Sequence, residues 1–236
     1  MTTAHADRHA NCYALVPCAG TGARAGAAGP KQYVVIAGRS VVAHTLAVLQ
    51  SVPRVAATLV VLAPHDTQFE TAAPGFAGER GWVERCGGAS RAASVAAGLD
   101  ALAARGAQPQ DWVLVHDAAR CLLRADAVER LIDACAADAV GGLLALPLAD
   151  TLKSAERGRV VGTLPRSEKW LAQTPQMFRL GLLQRALLQA GDAVTDESSA
   201  IESLGLQPLL VVGELENLKL TWPADFCLAA RLLETR

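Results

Sequence analysis

Four continuous apolar runs, CYALV at 12–16, ATLVVLA at 57–63, WVLVH at 112–116 and VGGLLALP at 140–147, alternate with helical patterns along this chain. A strand that is apolar at successive positions is covered on both faces, and such strands belong to parallel sheets whose crossovers are helices. The intervening segments SVVAHTLAVLQ, SRAASVAAGLDALAAR and ADAVERLIDACAA supply those crossovers, the second opening on Ser90 as its cap. WVERC adds a further short strand. The pattern predicts a doubly wound α/β fold on a mostly parallel sheet, and 236 residues suit one such domain with a small appendage.

In such a sheet ligands bind beyond the carboxyl ends of the strands. The segments that follow strands here are PCAGTGARAGAAGPKQY (17–33), GGASR (87–91) and HDAAR (116–120). In the first, Gly20, Gly22 and Gly26 permit positive φ and let backbone N–H groups approach an anion, while Arg24 and Lys31 supply charge. The spacing GxGxxxG and Pro30 exclude a dinucleotide fingerprint, and Gln32 after Lys31 excludes the GK[ST] ending of a P-loop. Asp117 ends a buried run, where a carboxylate is costly unless it serves a ligand, a metal or a cap. Lys219 lies between apolar neighbours in NLKL, where an unpaired ammonium is equally costly.

Residues 148–172 break the alternation. LADTLKSAERGRVVGTLPRSEKWLA holds β-like fragments on either side of a polar ERGR turn. It reads as a protruding arm or a surface hairpin, since a two-stranded ribbon is marginal unless it packs on something.

Charge and cysteine usage narrow the partners. A net charge of −1, with both signs interspersed, gives no footprint for nucleic acid or an anionic membrane and points to small molecules. Six cysteines form no CxxC pair and no metal spacing with the five histidines, so they read as reduced, mostly buried thiols. The opening MTTAHADRHAN lacks a secretory pattern, residues 1–10 read as a flexible tail, and no apolar stretch is long enough to cross a bilayer. The expectation is a soluble, cytoplasmic protein.

The strand–GxGxR–PKQY unit, followed in order by GGASRAASV, WVLVHDAAR, LADTLK, QTPQMF, TDESSAIE and ENLKLT, closely resembles the 2-C-methyl-D-erythritol 4-phosphate cytidylyltransferases over nearly the whole chain. The resemblance implies a Rossmann-like nucleotidyltransferase that joins CTP to 2-C-methyl-D-erythritol 4-phosphate. It also implies a homodimer in which the 148–172 arm reaches into the partner's active site. By the same resemblance Arg24 and Lys31 stabilise the pentavalent transition state; Pro17, Cys18, Ala19, Gly20 and Gly22 line the nucleotide pocket; and Gly88 and Ser94 contact the base, with Ala118 at the ribose. The resemblance further implies that Asp117 lies beside a divalent cation, Mg²⁺, and the substrate phosphates. Thr151 and Arg166 on the arm, with Thr195 and Lys219 of the other subunit, hold the acceptor, and Arg166 and Lys219 position its phosphate.

A phosphate monoester carries about −1.5 to −2 charge near neutrality and needs no general base to attack. Catalysis of such a reaction falls to positioning and to cations that neutralise the transition state and leaving group. His116 is therefore expected to order its loop and not to act as a base. Three positions depart from the family pattern: Ala89 replaces an acidic residue, Cys121 the proline after DAAR, and Pro165 an aspartate before Arg166. Two other functions fit the same fold. One is ribitol 5-phosphate cytidylyltransferase, whose loop and arm are similar, although HDAAR and TDESSAIE stand closer to the first family. The other is a non-catalytic nucleotide-binding regulatory module, against which the joint presence of Arg24, Lys31, Asp117 and Lys219 argues.

Overall fold

Residues 10–20, 29–191 and 194–236 are described in the structure, a computed structural model. Along the chain run β1 (Cys12–Pro17), a small ribbon of β2 (Val35–Ile36) and β3 (Arg39–Ser40), then β4 (Ala57–Val61), β5 (Gly81–Glu84), β6 (Trp112–Val115) and β7 (Gly141–Pro147). A second ribbon follows, β8 (Leu152–Glu156) with β9 (Arg159–Leu164), then β10 (Trp170–Arg179) and β11 (Leu209–Val212). The helices are α1 (Val41–Ser51), α2 (Phe69–Ala72), α3 (Arg91–Ala104), α4 (Ala125–Ala136), α5 (Leu180–Ala190), α6 (Glu197–Ser203) and α7 (Pro223–Glu234).

Seven strands make one sheet in the order β11-β7-β10-β6-β1-β4-β5. Every adjacent pair is parallel except those of β10, which runs antiparallel to both β6 and β7. Successive residues of a strand point to opposite faces, and that alternation sorts the apolar runs into two cores. Ala14 and Val16 of β1 join Leu46 and Leu49 of α1 and Leu131 of α4 on one face. Leu15 joins Val95 and Leu99 of α3 and Leu183 of α5 on the other. This is why the runs show no polar alternation, and the expected doubly wound, mostly parallel architecture is the one observed.

Two of the three expected helices carry side-chain caps: Ser40 accepts from the Ala43 amide at 3.1 Å and Ser90 from the Ala93 amide at 3.0 Å, whereas α4 starts at Arg124 without one. The four apolar runs and WVERC all form strands within a residue or two of the expected limits. QTPQMF returns to the core as part of β10, and its pairing with β7 shifts register between Ala172 and Gln176. The ERGR turn closes the β8–β9 hairpin with positive φ at both Arg157 and Gly158, the geometry that matches strand twist in a two-residue hairpin turn. Cys12, Cys18, Cys121 and Cys135 are buried free thiols, Cys86 is half-buried and Cys227 exposed. Among the described residues no helix is long and apolar enough to cross a membrane. The expected tail lies, except for Ala10, outside the described residues.

Candidate active site

Beyond the carboxyl ends of β1 and β6 lies a cleft of about 420 Å³. Pro17, Cys18, Ala19 and Gly20 leave β1 along one wall, Gly88 and Ser94 frame the entry into α3, and Lys31, Asp117, Ala118 and Lys219 lie on the remaining sides. All of these were expected from the sequence. Gln32, Ala89, Ser90, Arg91 and Ala119 are also part of the lining. Gly22, Arg24 and Gly26 lie outside the described residues.

The stem of the glycine-rich loop is tied from below. Pro30 leads into a single 3₁₀ turn, Lys31–Tyr33. There the buried Gln32 amide donates to the carbonyls of Cys18 at 3.1 Å and Gly20 at 2.9 Å. Lys31 Nζ donates to the Leu220 carbonyl at 2.7 Å, which brings this turn against the segment carrying Lys219. The glycine pair after β5 answers a packing need. A Cβ at Gly87 would stand 2.4 Å from that of Ala19 and 2.6 Å from the Leu62 carbonyl oxygen, and one at Gly88 would stand 2.6 Å from the Ala93 Cβ. The Ser94 hydroxyl donates to the Ser90 carbonyl at 2.9 Å and accepts the Gly88 amide at 3.1 Å, so it shapes the loop edge that faces the cleft. Burial pushes the Cys18 thiol up to about 12, which keeps it a neutral wall of the cleft.

Asp117 is the electrostatic centre. Its Oδ1 receives Arg91 Nε at 3.1 Å, and its Oδ2 faces Lys219 Nζ at 3.0 Å and Arg120 Nε at 3.4 Å. Burial alone would raise its pKa, but Arg91, Lys219 and Arg120 outweigh that effect and hold the carboxyl well below the usual carboxylate range. With Lys31 nearby, cations outnumber carboxylates, so the cleft is prepared for an anion. Lys219 is thus paired, but its side chain is 40 % exposed, so burial between apolar neighbours is not what requires the partner.

His116 is fully buried, and its proton can be placed by elimination. Its Nε2 lies 3.2 Å from the Arg120 carbonyl and must carry the hydrogen of the neutral ring. Nδ1 therefore accepts from the Thr174 hydroxyl at 3.0 Å, while that hydroxyl accepts the Asp117 amide at 3.1 Å. Burial lowers the His116 pKa from 6.5 to about 4. The ring ties the Asp117 loop to β10 through its two nitrogens.

Stability depends on pH through this ring. A histidine with a folded pKa below its unfolded value contributes fully above the unfolded pKa, and its contribution is lost as pH falls from about 6.5 towards 4. The shift corresponds to about 3 kcal/mol. Denaturant unfolding without divalent cations should therefore show wild-type stability falling over that range, with a flatter slope in His116→Gln. Equal slopes in the two proteins would contradict the assignment.

Several groups that build the site were not assigned roles from the sequence. Arg120 also donates from Nη1 to the Asn217 carbonyl at 2.6 Å, and the buried Asn217 amide donates to the Thr174 carbonyl at 2.8 Å, so β10, the Asp117 loop and the ENLK turn are laced together. Arg91 forks onto the carboxylate of Glu197, which is 1 % exposed. A signal for Glu197 was present: it precedes Ala200 and Ile201 at helical spacing, which puts an acid on the buried face of α6. Thr195 is exposed, immediately before the Asp196 capping box of α6. Thr151 and Arg166 do not line the cleft. They flank the β8–β9 hairpin, where Arg166 donates to the Ala149 carbonyl.

Residues 12–235 match the family described as IspD: 2-C-methyl-D-erythritol 4-phosphate cytidylyltransferase. The bifunctional enzyme IspD/IspF of Albidiferax ferrireducens is 60% identical over 98% of this chain, and the match spans 54% of that longer protein. The 2-C-methyl-D-erythritol 4-phosphate cytidylyltransferase of Chromobacterium violaceum is 53% identical, covering 94% of this chain and 98% of its own. Among solved structures, a 4-diphosphocytidyl-2C-methyl-D-erythritol synthase superposes with a TM-score of 0.84 at 44% identity, over 95% of this chain and 98% of that one. The 2-C-methyl-D-erythritol 4-phosphate cytidylyltransferase of Thermus thermophilus does so at 0.78 and 32% identity, over 95% and 99%.

Proposed function

Because the chain belongs to the 2-C-methyl-D-erythritol 4-phosphate cytidylyltransferase family, we propose that its cleft joins CTP to 2-C-methyl-D-erythritol 4-phosphate. The products are 4-diphosphocytidyl-2-C-methyl-D-erythritol and pyrophosphate, in non-mevalonate isoprenoid biosynthesis. The observation that carries this reading is the convergence of Lys31, Asp117 and Lys219 on one cleft walled by the backbone of residues 17–20 and Gly88.

The backbone of Pro17, Cys18, Ala19, Gly20 and Gly22, with Gly88, Ser94 and Ala118, takes the nucleotide. Arg24 and Lys31 meet the charge that develops on the α-phosphate and on the leaving pyrophosphate, where fixed cations act with most effect. Lys219, and Arg166 from a partner's arm, hold the acceptor phosphate in line, with Thr151 and Thr195 beside it. No proton need be removed from the nucleophile, which suits a site whose buried histidine stays neutral.

Asp117 would give a divalent cation a single ionised hard-oxygen donor, in competition with the Lys219 ammonium 3.0 Å from its Oδ2. Among the described residues no group of three or more His, Cys, Asp or Glu is arranged to hold a metal. Mg²⁺ is commonly bound in this way, by one or two carboxylates with the remaining positions left to substrate phosphates and water, and when bound it neutralises phosphate charge. The homodimer reading is supported by apolar side chains left on the arm and its base: Val160 (64 % exposed), Val161, Leu164 and Leu171. A ribbon of this kind is stable when it packs on another surface.

The test is substrate profiling. With CTP and Mg²⁺, pyrophosphate release is expected with 2-C-methyl-D-erythritol 4-phosphate and only at background with ribitol 5-phosphate. Faster release with ribitol phosphate would replace the acceptor, and none with either would leave a binding module.

A further inference from the structure

We propose that Arg91 is a positioning residue that locks the two substrate halves of the cleft to one another. It holds Asp117 through Nε and, through its fork on Glu197, the start of α6 beside Thr195. The proposal rests on the reading above of Asp117 and Thr195 as substrate-side groups.

Arg91 is the first residue of α3, directly after the Ser90 cap and three residues from Gly88 on the nucleotide side. Its Nη1 lies 2.5 Å and its Nη2 3.0 Å from the two oxygens of Glu197, 106 residues away in sequence. The remaining face of the same guanidinium reaches Asp117 at 3.1 Å. Glu197 is itself the first residue of α6. That start is fixed to β10 as well, since the Gln176 side chain accepts the Ser198 amide at 2.7 Å and donates to Asp196 at 2.8 Å. One planar group thus joins two helix starts and the central carboxylate. Lysine has no such fork, because its ammonium offers a point charge on a flexible stem.

A group with only a structural role would change stability and nothing else. A positioning group shifts the reacting phosphates relative to one another, and displacements of about 1 Å cost on the order of 100-fold in rate. Arg91→Lys, Glu197→Gln and the double variant separate the two. With both substrates and Mg²⁺, assayed well below the lowest melting temperature, kcat should fall on the order of 100-fold in Arg91→Lys. KM for the acceptor should rise about tenfold while KM for CTP stays within about threefold, because Ser90, Ser94 and the glycine pair hold the nucleotide wall without Arg91. The double variant should be no worse than Arg91→Lys alone, as expected for residues that act as a unit. In the free protein, Glu197→Gln should shift the backbone amide resonances of both Asp117 and Thr195. The proposal is overturned by wild-type kcat in folded Arg91→Lys, by single losses that multiply in the double variant, or by an Asp117 resonance that does not move. If Arg91→Lys does not fold, Glu197→Gln decides by the same KM and resonance readouts. If the wild type turns over neither acceptor, the proposed function fails, while the resonances still decide the role of Arg91.

Discussion

Replacing Lys31 with alanine is expected to lower kcat by at least two orders of magnitude while the protein stays folded, and Arg24→Ala is expected to do the same. A preorganised cation facing charge that develops only in the transition state is worth about 3 kcal/mol or more, and each 1.36 kcal/mol is about tenfold in rate. The structural loss is local. Lys31 gives up, among its contacts, a part-buried bond to the Leu220 carbonyl, and a bond from a charged donor contributes about 1.5–3 kcal/mol. The core of the adjoining turn is Gln32, whose bonds to Cys18 and Gly20 do not involve Lys31. Pyrophosphate release at saturating substrates, measured beside a melting curve, gives both numbers. Turnover within a few-fold of wild type in either variant would remove that residue from the transition state.

Mixing an Arg166→Ala chain with a Lys31→Ala chain, each inactive alone, should restore activity. If the arm crosses a two-fold axis, Arg166 of one chain serves the cleft containing Lys31 of the other. A mixed dimer then carries both lesions in one site and neither in its second. At statistical exchange about half the dimers are mixed with one intact site each, so roughly a quarter of wild-type activity should return. The placement of Arg166 outside its own chain's cleft makes the experiment informative. Exchange demonstrated by mass spectrometry with no recovered turnover would mean that each arm serves its own subunit.

The layers of this fold were legible because burial on both faces writes itself into consecutive residues, as in CYALV and WVLVH. The cleft lining was legible because a glycine-rich bend after a strand, a lysine among apolar neighbours and a strand-end aspartate each stand out in the sequence, although Lys219 proves exposed. What was hidden are the contacts that link distant segments. Arg91 looks like any first-turn residue of a capped helix until Glu197 and Asp117 meet it from 106 and 26 positions away. Thr174 and Asn217 are small polar residues in unremarkable company, and only the folded chain brings Thr174 of β10 to His116, 58 positions away in sequence. Gly87 and Gly88 carried a sequence signal without its cause, which is the close approach of Ala19, Leu62 and Ala93.

The antiparallel insertion of β10 also bears on how the chain is made. Translation delivers β1, β4, β5, β6 and β7 well before Trp170–Arg179, yet β10 is the strand that fills the gap between β6 and β7. Until it emerges from the ribosome, any sheet built by the first four ends at an open β6, and β7 lacks both of its final neighbours. Those open edges are made of Val113, Leu114, Leu143 and Leu144, all fully or nearly fully buried in the finished protein, and unpaired apolar edges of this kind invite pairing with other chains. The arm is thus the stretch that separates these edges from the strand that pairs them, and each added residue of hairpin lengthens the wait.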